Sequence, residues 1–301
     1  MSAKAQPKAE EKLPLPPQTD SVAASEVSLY RNILKIKQDH ELENLGISFF
    51  DAETTIQWSY NADHYFHAAS TMKLAVLLGV MRQVERGELS LESPVHVRNR
   101  FTSIVNQEPF MLDLARDADP NVYGHLGKTL TVRELAYWMI TLSSNLATNL
   151  LIDVIGVQTI QLALDELDID GVRVLRGVED QAAFQAGLNN EVTANGLLKL
   201  LRVVADNKAY SRKASEEMLS IMLEQQYRSG IPAGLPKAAR VAHKTGNIST
   251  VHHDAGIVYL DGREPYVLVI LTQFSAESGR GTAVADVSRD IFNTLAGIRY
   301  E

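Results

Sequence analysis

The sequence predicts a mixed α/β (α+β) fold, in which an antiparallel sheet built from N- and C-terminal segments is flanked by helices and carries an inserted all-helical lobe. Three observations lead to this prediction. Two strand-like runs lie near the N-terminus, and three more follow residue 235. Between them, the pattern from about residue 90 to 225 is mostly helical. The chain has 301 residues, enough for one large domain or two ordinary ones.

The N-terminal part is expected to contain a lead-in, a helix and a strand pair. Residues 1–25 are rich in Lys, Glu, Ala and Pro and contain no apolar run of signal-peptide type, which predicts a flexible lead-in and no intact export signal in this chain. Apolar residues recur with helical spacing in 27–44. The stretches LGISFFDAE and TIQWSYNA, joined by a turn at 51–54, predict two paired strands.

The central part is expected to be helical. A helix begins near Ser70, and Gly87 is its expected stop. The stretch TVRELAYWMITLSSNLATNLLIDVIG holds two helical runs broken near Ser143. VQTIQLALDELD predicts another helix, and two later helices are expected to have their N-caps at Thr193 and Ser215.

The C-terminal part returns to strands. Three β-branched runs after residue 235 predict antiparallel strands, and GTAVADVSRDIFNTLAGI predicts a closing helix. The simplest assembly is an α/β lobe from residues 26–67 and 226–301 with a helical lobe from 68–225. The cleft between two such lobes is a natural position for a binding site.

Composition argues against several classes of function. The net charge of −8, with no basic run, predicts a surface that repels nucleic acid and anionic lipid. The longest apolar stretches have about eight residues, whereas a membrane span needs roughly 20. The absence of cysteine removes disulfides and thiolate chemistry. His252 and His253 point to opposite faces of a strand, so no metal or other cofactor is expected.

The first candidate site is Ser70 with Lys73. If a helix begins near Ser70, the i,i+3 spacing puts both side chains on one face. The hydroxyl then lies at the positive end of the helix, where an oxyanion would be stabilised. Partial burial in the apolar run lowers the pKa of a lysine and allows it to act as a base. Taken alone, the pair is also explained by a capping serine and a lysine that extends to solvent.

Two further motifs complete the pattern. Ser143-Ser144-Asn145 lies at a helix break, where serine and asparagine are ordinary caps. Lys244-Thr245-Gly246 lies in a predicted strand, where an edge lysine and a bulge glycine are an ordinary explanation. Ser-x-x-Lys, Ser-x-Asn and Lys-Thr-Gly nevertheless occur here in the order and setting of one serine-enzyme active site.

The chain from about residue 27 to 301 resembles the class A β-lactamases and their serine-hydrolase relatives. HAASTMKLAVLLGVM is similar to the nucleophile helix of that family, and SSNLATNLLIDVIG is similar to its second motif. VAHKTGNIS and DAGIVYLDGREPYVLVILT are similar to the third motif and the strands after it. The resemblance implies a β-lactamase/transpeptidase-like fold and one catalytic domain over residues 26–301.

The resemblance implies catalytic roles for three of these residues. Ser70 would be the acylated nucleophile. Lys73 would accept or relay its proton, and Ser143 would pass a proton to the leaving nitrogen.

The resemblance also implies a substrate-binding set. Asn145 would hold the amide side chain of the substrate, while Lys244 and Thr245 would bind its carboxylate. The backbone N–H of Asn247, together with that of the nucleophile, would form the oxyanion hole, next to Gly246 of the same motif.

Deacylation in this family needs a glutamate on a loop between the second and third motifs. Glu179 in LRGVEDQAAF is the best match, because it lies 36 residues after Ser143 and follows Arg176. Glu166 and Glu191 fit the spacing less well. A solvated loop carboxylate remains the alternative interpretation of Glu179.

The sequence departs from the family pattern at three positions. Ser144 stands where the family usually has a structural aspartate, and Asp180 stands where it usually has proline. Ala183 replaces an asparagine that helps to hold the hydrolytic water, and Asn189 or Asn190 is a possible substitute. A weakly held water predicts slow deacylation.

Three functional hypotheses follow from the resemblance. The leading one is a serine hydrolase that opens β-lactams through a Ser70 acyl-enzyme, hydrolysed by water that Glu179 activates. The alternatives are a DD-peptidase or esterase of the same fold, acting on peptidoglycan-like peptides or small esters, and a penicillin-binding sensor-like domain that acylates without turnover. The family likeness also implies an extracytoplasmic location in the periplasm or cell envelope. We expect a monomer with a small-molecule substrate.

Overall fold

A computed structural model describes residues 20–275 and 281–296 of the chain. Helices α1 to α9 run over Asp20–Asp39, Lys73–Glu85, Val132–Thr141, Asn145–Ile155, Val157–Asp165, Gln181–Gln185, Ala194–Ala205, Arg212–Leu223 and Ala283–Ile291. Strands β1 to β12 run over Leu42–Asp51, Gln57–Tyr60, Phe66–His67, Pro94–His96, Phe101–Thr102, Pro109–Phe110, Thr129–Thr131, Val172–Arg173, Glu191–Val192, Arg240–Ile248, Val251–Tyr259 and Tyr266–Phe274. Short 3₁₀ helices cover Ala69–Met72, Leu114–Arg116, Val122–His125 and Ile231–Gly234, and a π-helical turn covers Phe292–Ala296.

The five longer strands form one antiparallel sheet in the order β10-β11-β12-β1-β2. Strand β1, from the start of the chain, pairs with β12, from its end, so that Ile47 lies opposite Ile270 in the middle of the sheet. The two ends of the chain therefore build one sheet, which confirms the predicted fold class.

Both faces of the sheet are covered by apolar side chains. On one face, α1 and α9 pack against the strands and bury Leu29, Ile33, Val287 and Ile291 completely. The other face shares a larger core with the helices between β2 and β10. Because both faces of the sheet are covered, nearly every residue of β11 and β12 is buried, and buried positions do not alternate with exposed ones along these strands.

Helix α2 lies within the larger core. Its first ten residues, from Lys73 to Arg82, are all buried, as expected for a helix that is apolar on all sides. The helix ends at Glu85, and Gly87 follows with φ of +70°, the left-handed conformation that glycine adopts without a steric penalty. The predicted stop at Gly87 is therefore confirmed.

Two boundaries differ from the predicted ones. Helix α1 begins at Asp20, within the predicted lead-in, while residues 1–19 of that lead-in lie outside the described residues. Thr193 caps α7 as predicted, by accepting a bond from the Gly196 N–H. The prediction for Ser215 is wrong, because Ser211 caps α8 and Ser215 lies buried inside that helix. Serines four residues apart cannot be distinguished as caps by local pattern alone.

Within residues 20–275 and 281–296, no single helix is long and apolar enough to cross a bilayer. In the same part of the chain, α4 and α5 taken together reach the required length and composition, and they meet at a bend of 79°.

Candidate active site

Ser70 lies in the one-turn 3₁₀ helix that leads directly into α2. The residue before it, Ala69, has φ of +44°, a left-handed conformation that is uncommon for residues other than glycine. Three hydrogen bonds hold this turn: the Ala69 N–H donates to His67 Nδ1 at 3.1 Å, and the Thr71 N–H and Oγ1 both donate to the Ala68 carbonyl, at 3.1 and 2.6 Å. The turn presents the partly exposed Ser70 at the beginning of a helix, where positive partial charge collects.

Lys73 is the first residue of α2 and is completely buried. Its ammonium nitrogen donates to the Ser143 carbonyl at 2.7 Å, to Ser143 Oγ at 3.3 Å and to Asn145 Oδ1 at 2.9 Å. Burial lowers the pKa of Lys73 to about 7, although the carboxylates of Asp117 and Glu179 oppose this shift. A lysine with this pKa exchanges protons readily at neutral pH.

The segment that receives Lys73 is the break between α3 and α4. Ser143 has φ of +59°, and this left-handed residue turns its carbonyl toward the Lys73 nitrogen. Ser144 then caps α4 by accepting a bond from the Ala147 N–H. The predicted helix break near Ser143 is thus present, and it brings the second motif into contact with the first.

Lys244 reaches the same serine from strand β10. Its buried ammonium nitrogen donates to Ser143 Oγ at 3.0 Å and to the Thr245 carbonyl at 2.8 Å. The pKa of Lys244 lies well below its usual range, first because of burial and then because of the nearby Lys73, while Asp254 opposes the shift. Two buried amino groups therefore meet at one hydroxyl group.

Gly246 allows β10 to approach the 3₁₀ turn Ala69–Met72, which contains Ser70, closely. A Cβ atom at this position would lie 3.0 Å from Thr71 Cγ2 and 3.2 Å from both the Ala68 carbonyl oxygen and the Thr71 nitrogen. These distances are tighter than ordinary van der Waals contacts. A side chain at residue 246 would therefore separate Asn247 and the strand from Ser70.

Two neighbouring cavities open at Ser70. One has a volume of about 390 Å³, and its lining includes Ser70, Asn145, Glu179 and Asn247. The other has a volume of about 430 Å³ and extends from Ser70 past Asn145 and Asn247 to Ser143 and Thr245. Six of the predicted residues, distant in the sequence, thus line these two cavities, whereas Lys73 and Lys244 are completely buried and line neither.

Glu179 faces this cleft from the loop before α6. One of its carboxylate oxygens accepts a bond from the Asp113 N–H at 3.2 Å, and the other lies 3.5 Å from Asn145 Nδ2. Asn145 therefore lies between Lys73 and Glu179 and contacts both. This arrangement connects the loop glutamate to the lysine through one amide side chain.

The two rival glutamates are engaged elsewhere. Glu166 accepts bonds of 2.9 and 2.7 Å from the Arg82 guanidinium and is also paired with Arg86. Glu191 is paired with Arg173 at 3.2 Å. Of the three, only Glu179 lines the cavity that contains Ser70.

Asn190, rather than Asn189, lies at the cavity that contains Ser70. Ala183 is buried within α6 and does not line the cleft. Asn190 lines the cavity, and its side chain also accepts bonds from the Leu175 and Arg176 N–H groups at 2.8 and 3.1 Å. The Asn190 amide therefore holds the start of the Glu179 loop, whereas Asn189 contacts the Arg176 guanidinium at 3.4 Å.

The two adjacent histidines have separate surroundings, as the strand pattern predicts. His253 Nε2 lies 3.0 Å from the His67 carbonyl oxygen, and the Thr272 N–H donates to its Nδ1 at 3.1 Å. His252 instead lines the second cavity.

Two carboxylates near the cleft were not identified from the sequence. Asp117 accepts bonds from the Asn145 and Leu146 N–H groups at 2.8 and 2.9 Å. Asp180 accepts bonds from Ser103 Oγ at 2.8 Å and from the Ile104 N–H at 3.1 Å, and it caps α6. Neither contact has a sequence signature, because each joins a loop residue to a segment far away in the chain.

Comparisons with known proteins show which family this chain is similar to. A family model described as the β-lactamase enzyme family matches residues 28–295. A β-lactamase of Bacteroides uniformis is 27% identical over 257 residues, covering 78% of this chain and 81% of that protein. The β-lactamase VEB-1 of Pseudomonas aeruginosa is 24% identical over 280 residues, covering 89% of this chain and 87% of that protein.

Solved structures show the same architecture. The structure of PBP-A superimposes with a TM-score of 0.75 at 25% identity and covers 89% of this chain and 97% of that one. An ancestral class A β-lactamase gives a TM-score of 0.75 at 23% identity, covering 89% of this chain and 100% of that one. Because the family model spans nearly the whole described chain, the protein belongs to the β-lactamase enzyme family.

Proposed function

We propose that this protein is a serine hydrolase that opens β-lactams through an acyl-enzyme on Ser70. The main support is the convergence of Lys73 and Lys244 on Ser143 Oγ, next to a cleft that Ser70 and Glu179 both line. Relatives that carry the name β-lactamase add support. This assignment makes the protein a class A β-lactamase-like hydrolase.

Acylation requires a base for the Ser70 hydroxyl. Lys73 follows Ser70 by one turn, and its pKa of about 7 leaves a large fraction of its amine unprotonated at neutral pH. Ser70 Oγ would attack the lactam carbonyl carbon while its proton passes to Lys73. The oxyanion that forms would be stabilised by the backbone N–H groups of Ser70 and Asn247, at the positive end of the helix.

The lactam nitrogen leaves as the C–N bond breaks, and it needs a proton. Ser143 Oγ is suited to deliver it, because it lies within hydrogen-bond reach of both ammonium groups and lines the cleft. Thr245 and Asn145 line the same cleft and would bind the substrate carboxylate and amide side chain, with Lys244 supplying positive charge beneath them. The product of this half-reaction is a Ser70 ester.

Deacylation returns the free serine. Glu179 would remove a proton from water, the hydroxide would attack the ester carbonyl carbon, and Ser70 Oγ would leave with a proton. The support for Glu179 is its position in the same cavity as Ser70, together with the engagement of Glu166 and Glu191 in ion pairs elsewhere.

A second candidate is a penicillin-binding protein that acylates and then stalls. The observation in its favour is that Ala183 is buried and that the Asn190 amide already binds backbone groups of the loop. A PBP-A variant is described as forming an acyl-enzyme complex with penicillin G, and its structure gives a TM-score of 0.73 at 24% identity, covering 90% of this chain and 98% of that one. A peptidase or esterase of the same fold is the third candidate.

One experiment separates these candidates. A chromogenic cephalosporin is mixed with the protein, and hydrolysis is followed by absorbance while intact-protein mass spectrometry detects adducts. The β-lactamase proposal expects multiple turnovers without a persistent adduct, and no hydrolysis by Ser70→Ala. A stable adduct on Ser70 would support the penicillin-binding candidate. If neither an adduct nor turnover is detected, the β-lactamase and penicillin-binding candidates are both overturned, and the peptidase or esterase is left.

The exported location and the monomeric state implied by the family likeness are part of the same proposal.

A further inference from the structure

The N-terminal end of α4 carries part of the site, because Ser143 and Asn145 hold Lys73. The first N–H groups of a helix have no partners within the helix, so other groups must accept their bonds. Ser144 Oγ accepts only the bond from the Ala147 N–H at 3.3 Å. The N–H groups of Asn145 and Leu146 need another acceptor.

Asp117 supplies that acceptor from a separate loop. Its two carboxylate oxygens accept one bond each, from the Asn145 N–H at 2.8 Å and the Leu146 N–H at 2.9 Å. Charge-assisted bonds of this length are among the stronger hydrogen bonds in proteins, and a carboxylate at a helix N-terminus also interacts favourably with the helix dipole. We propose that Asp117 is a positioning residue that fixes Ser143 and Asn145 around the Lys73 side chain.

The Asp117 contacts lie next to a residue with a strained backbone, Ser143. Ser143 adopts φ of +59°, a conformation that persists only when surrounding contacts enforce it. The Ser144 N–H donates to the Trp138 carbonyl at 3.1 Å on one side of the break, and Asp117 holds the Asn145 N–H on the other. Release of either contact would allow the Ser143 carbonyl to turn away from Lys73.

The charge of Asp117 acts on the same lysine. Its carboxylate favours the protonated form of Lys73 and thereby raises the pKa of Lys73 against the larger effect of burial. The charged or titratable groups around this pair comprise Lys244, Glu179, Asp113, Arg116, Asp119, Tyr123 and Tyr227. Removal of the Asp117 charge should therefore lower the pKa of Lys73 further in the folded protein, whereas unfolding would expose the amine and raise its pKa.

The test compares Asp117→Asn with Asp153→Asn. Asp153 lies on the same helix, about 12 Å along its axis at 1.5 Å per residue, where it is exposed and paired with Arg98. The first-order rate of Ser70 acylation is measured at saturating cephalosporin, which makes it independent of the folded fraction. For Asp117→Asn, we expect a rate about tenfold lower at pH 8, where Lys73 is deprotonated, and a smaller deficit at pH 6. Asp153→Asn should match the wild type at both pH values.

The inference rests on the proposed function, so a second measurement is independent of activity. An NMR titration of Lys73 in wild type and Asp117→Asn should show a lower pKa in the variant, even if the protein acylates no substrate. Absence of acylation in the wild type would defeat the proposed function, whereas this titration would still test Asp117. Equal Lys73 titrations, a rate deficit that is the same at pH 6 and 8, or an unfolded Asp117→Asn variant would overturn the inference.

Discussion

The hydroxyl oxygen of Ser143 lies 3.0 Å from the Lys244 nitrogen and accepts a hydrogen bond from it. The Lys73 nitrogen lies 3.3 Å from the same oxygen, so one hydroxyl connects two buried amines. Like charges disfavour one another, and the nearby Lys73 adds to burial in lowering the pKa of Lys244. When one amine loses its proton, the Ser143 hydroxyl can relay a proton toward it from the other.

The first prediction concerns the pH dependence of acylation. Lys73 must be unprotonated to accept the Ser70 proton, and its pKa is lowered to about 7. The acylation rate should therefore fall about tenfold per pH unit well below pH 7 and level off above pH 8. Stopped-flow measurement of acylation from pH 5 to 9 checks this dependence.

The control for this prediction is Lys73→Ala, which should reduce the acylation rate by about 10²–10⁴-fold and remove the dependence near pH 7. Lys199→Ala removes a lysine paired with Asp170 and should leave the profile unchanged. A wild-type rate that does not vary between pH 5 and 9 would exclude Lys73 as the base.

The second prediction concerns Glu179. Glu179→Gln keeps the size and the hydrogen-bond acceptor of the side chain but removes the base. We expect deacylation to slow by about 10²–10⁴-fold. Loss of the Glu179 charge also lowers the pKa of Lys73, so acylation is compared at pH 8, where Lys73 is already unprotonated and the rate should be nearly unchanged. Mass spectrometry should then detect an accumulated acyl-enzyme.

Glu191→Gln is the matched control for that experiment. Glu191 is paired with Arg173 and does not line the cavity at Ser70, so its variant should deacylate like the wild type. Wild-type turnover by Glu179→Gln would show that another group activates the water.

The three sequence motifs that meet at Ser143 were recognisable in the sequence because they combine local structure with unusual residues. A lysine inside an apolar helix, such as Lys73, already indicates a buried amine with a lowered pKa. Lys244 was identified by a short motif on a strand, and the structure brings it within 3.0 Å of Ser143 Oγ. The antiparallel sheet was predictable from local pattern, since its strands are β-branched runs bounded by turns.

The supporting carboxylates were not predictable, because their roles depend on tertiary contacts. Asp117 and Asp180 are ordinary loop residues in the sequence, and only the folded chain shows which N–H groups they accept bonds from. The prediction of Ser215 as the N-cap of α8 was wrong for a related reason. Ser211 and Ser215 are equally good caps by residue type, and the chain path before the helix decides for Ser211.

The third prediction concerns close packing at Gly246. Gly246→Ala places a Cβ atom 3.0 Å from Thr71 Cγ2 and 3.2 Å from the Ala68 carbonyl oxygen, so β10 or the turn that contains Ser70 must shift by a few tenths of an ångström. We expect a loss of about 1–3 kcal/mol in the free energy of unfolding, as for other overpacked sites. Acylation should slow by about tenfold or more, because Ser70 and Asn247 lose their alignment.

Gly124→Ala is the control for this substitution, since a Cβ atom at residue 124 would meet no atom within 4 Å. Chemical denaturation and the acylation rate are measured for both variants. If Gly246→Ala acylated at the wild-type rate, the close approach of β10 would have no role in catalysis.

The fourth prediction concerns the attachment of the Glu179 loop. The buried carboxylate of Asp180 accepts bonds from Ser103 Oγ, the Ile104 N–H and the Ala183 N–H, at 2.8, 3.1 and 3.0 Å. In Asp180→Asn the amide NH₂ group cannot accept hydrogen bonds, so at least one buried donor is left without a partner, at a cost of about 1–3 kcal/mol. Since Glu179 is the adjacent residue, the lost hydrogen bond should lower the rate of deacylation more than the rate of acylation.

We therefore expect Asp180→Asn to slow deacylation by about tenfold while acylation stays within about twofold of the wild type. Hydrogen exchange should speed up at the Ile104 or the Ala183 amide, because these two amides bind different carboxylate oxygens and the substitution removes one of them. Asp165→Asn, at an exposed helix position paired with Gln161, is the control and should change neither rate. An equal reduction of both rates would instead indicate general destabilisation. Such a result would contradict a specific role of the Asp180 contacts in holding Glu179, because only the deacylation step uses that side chain.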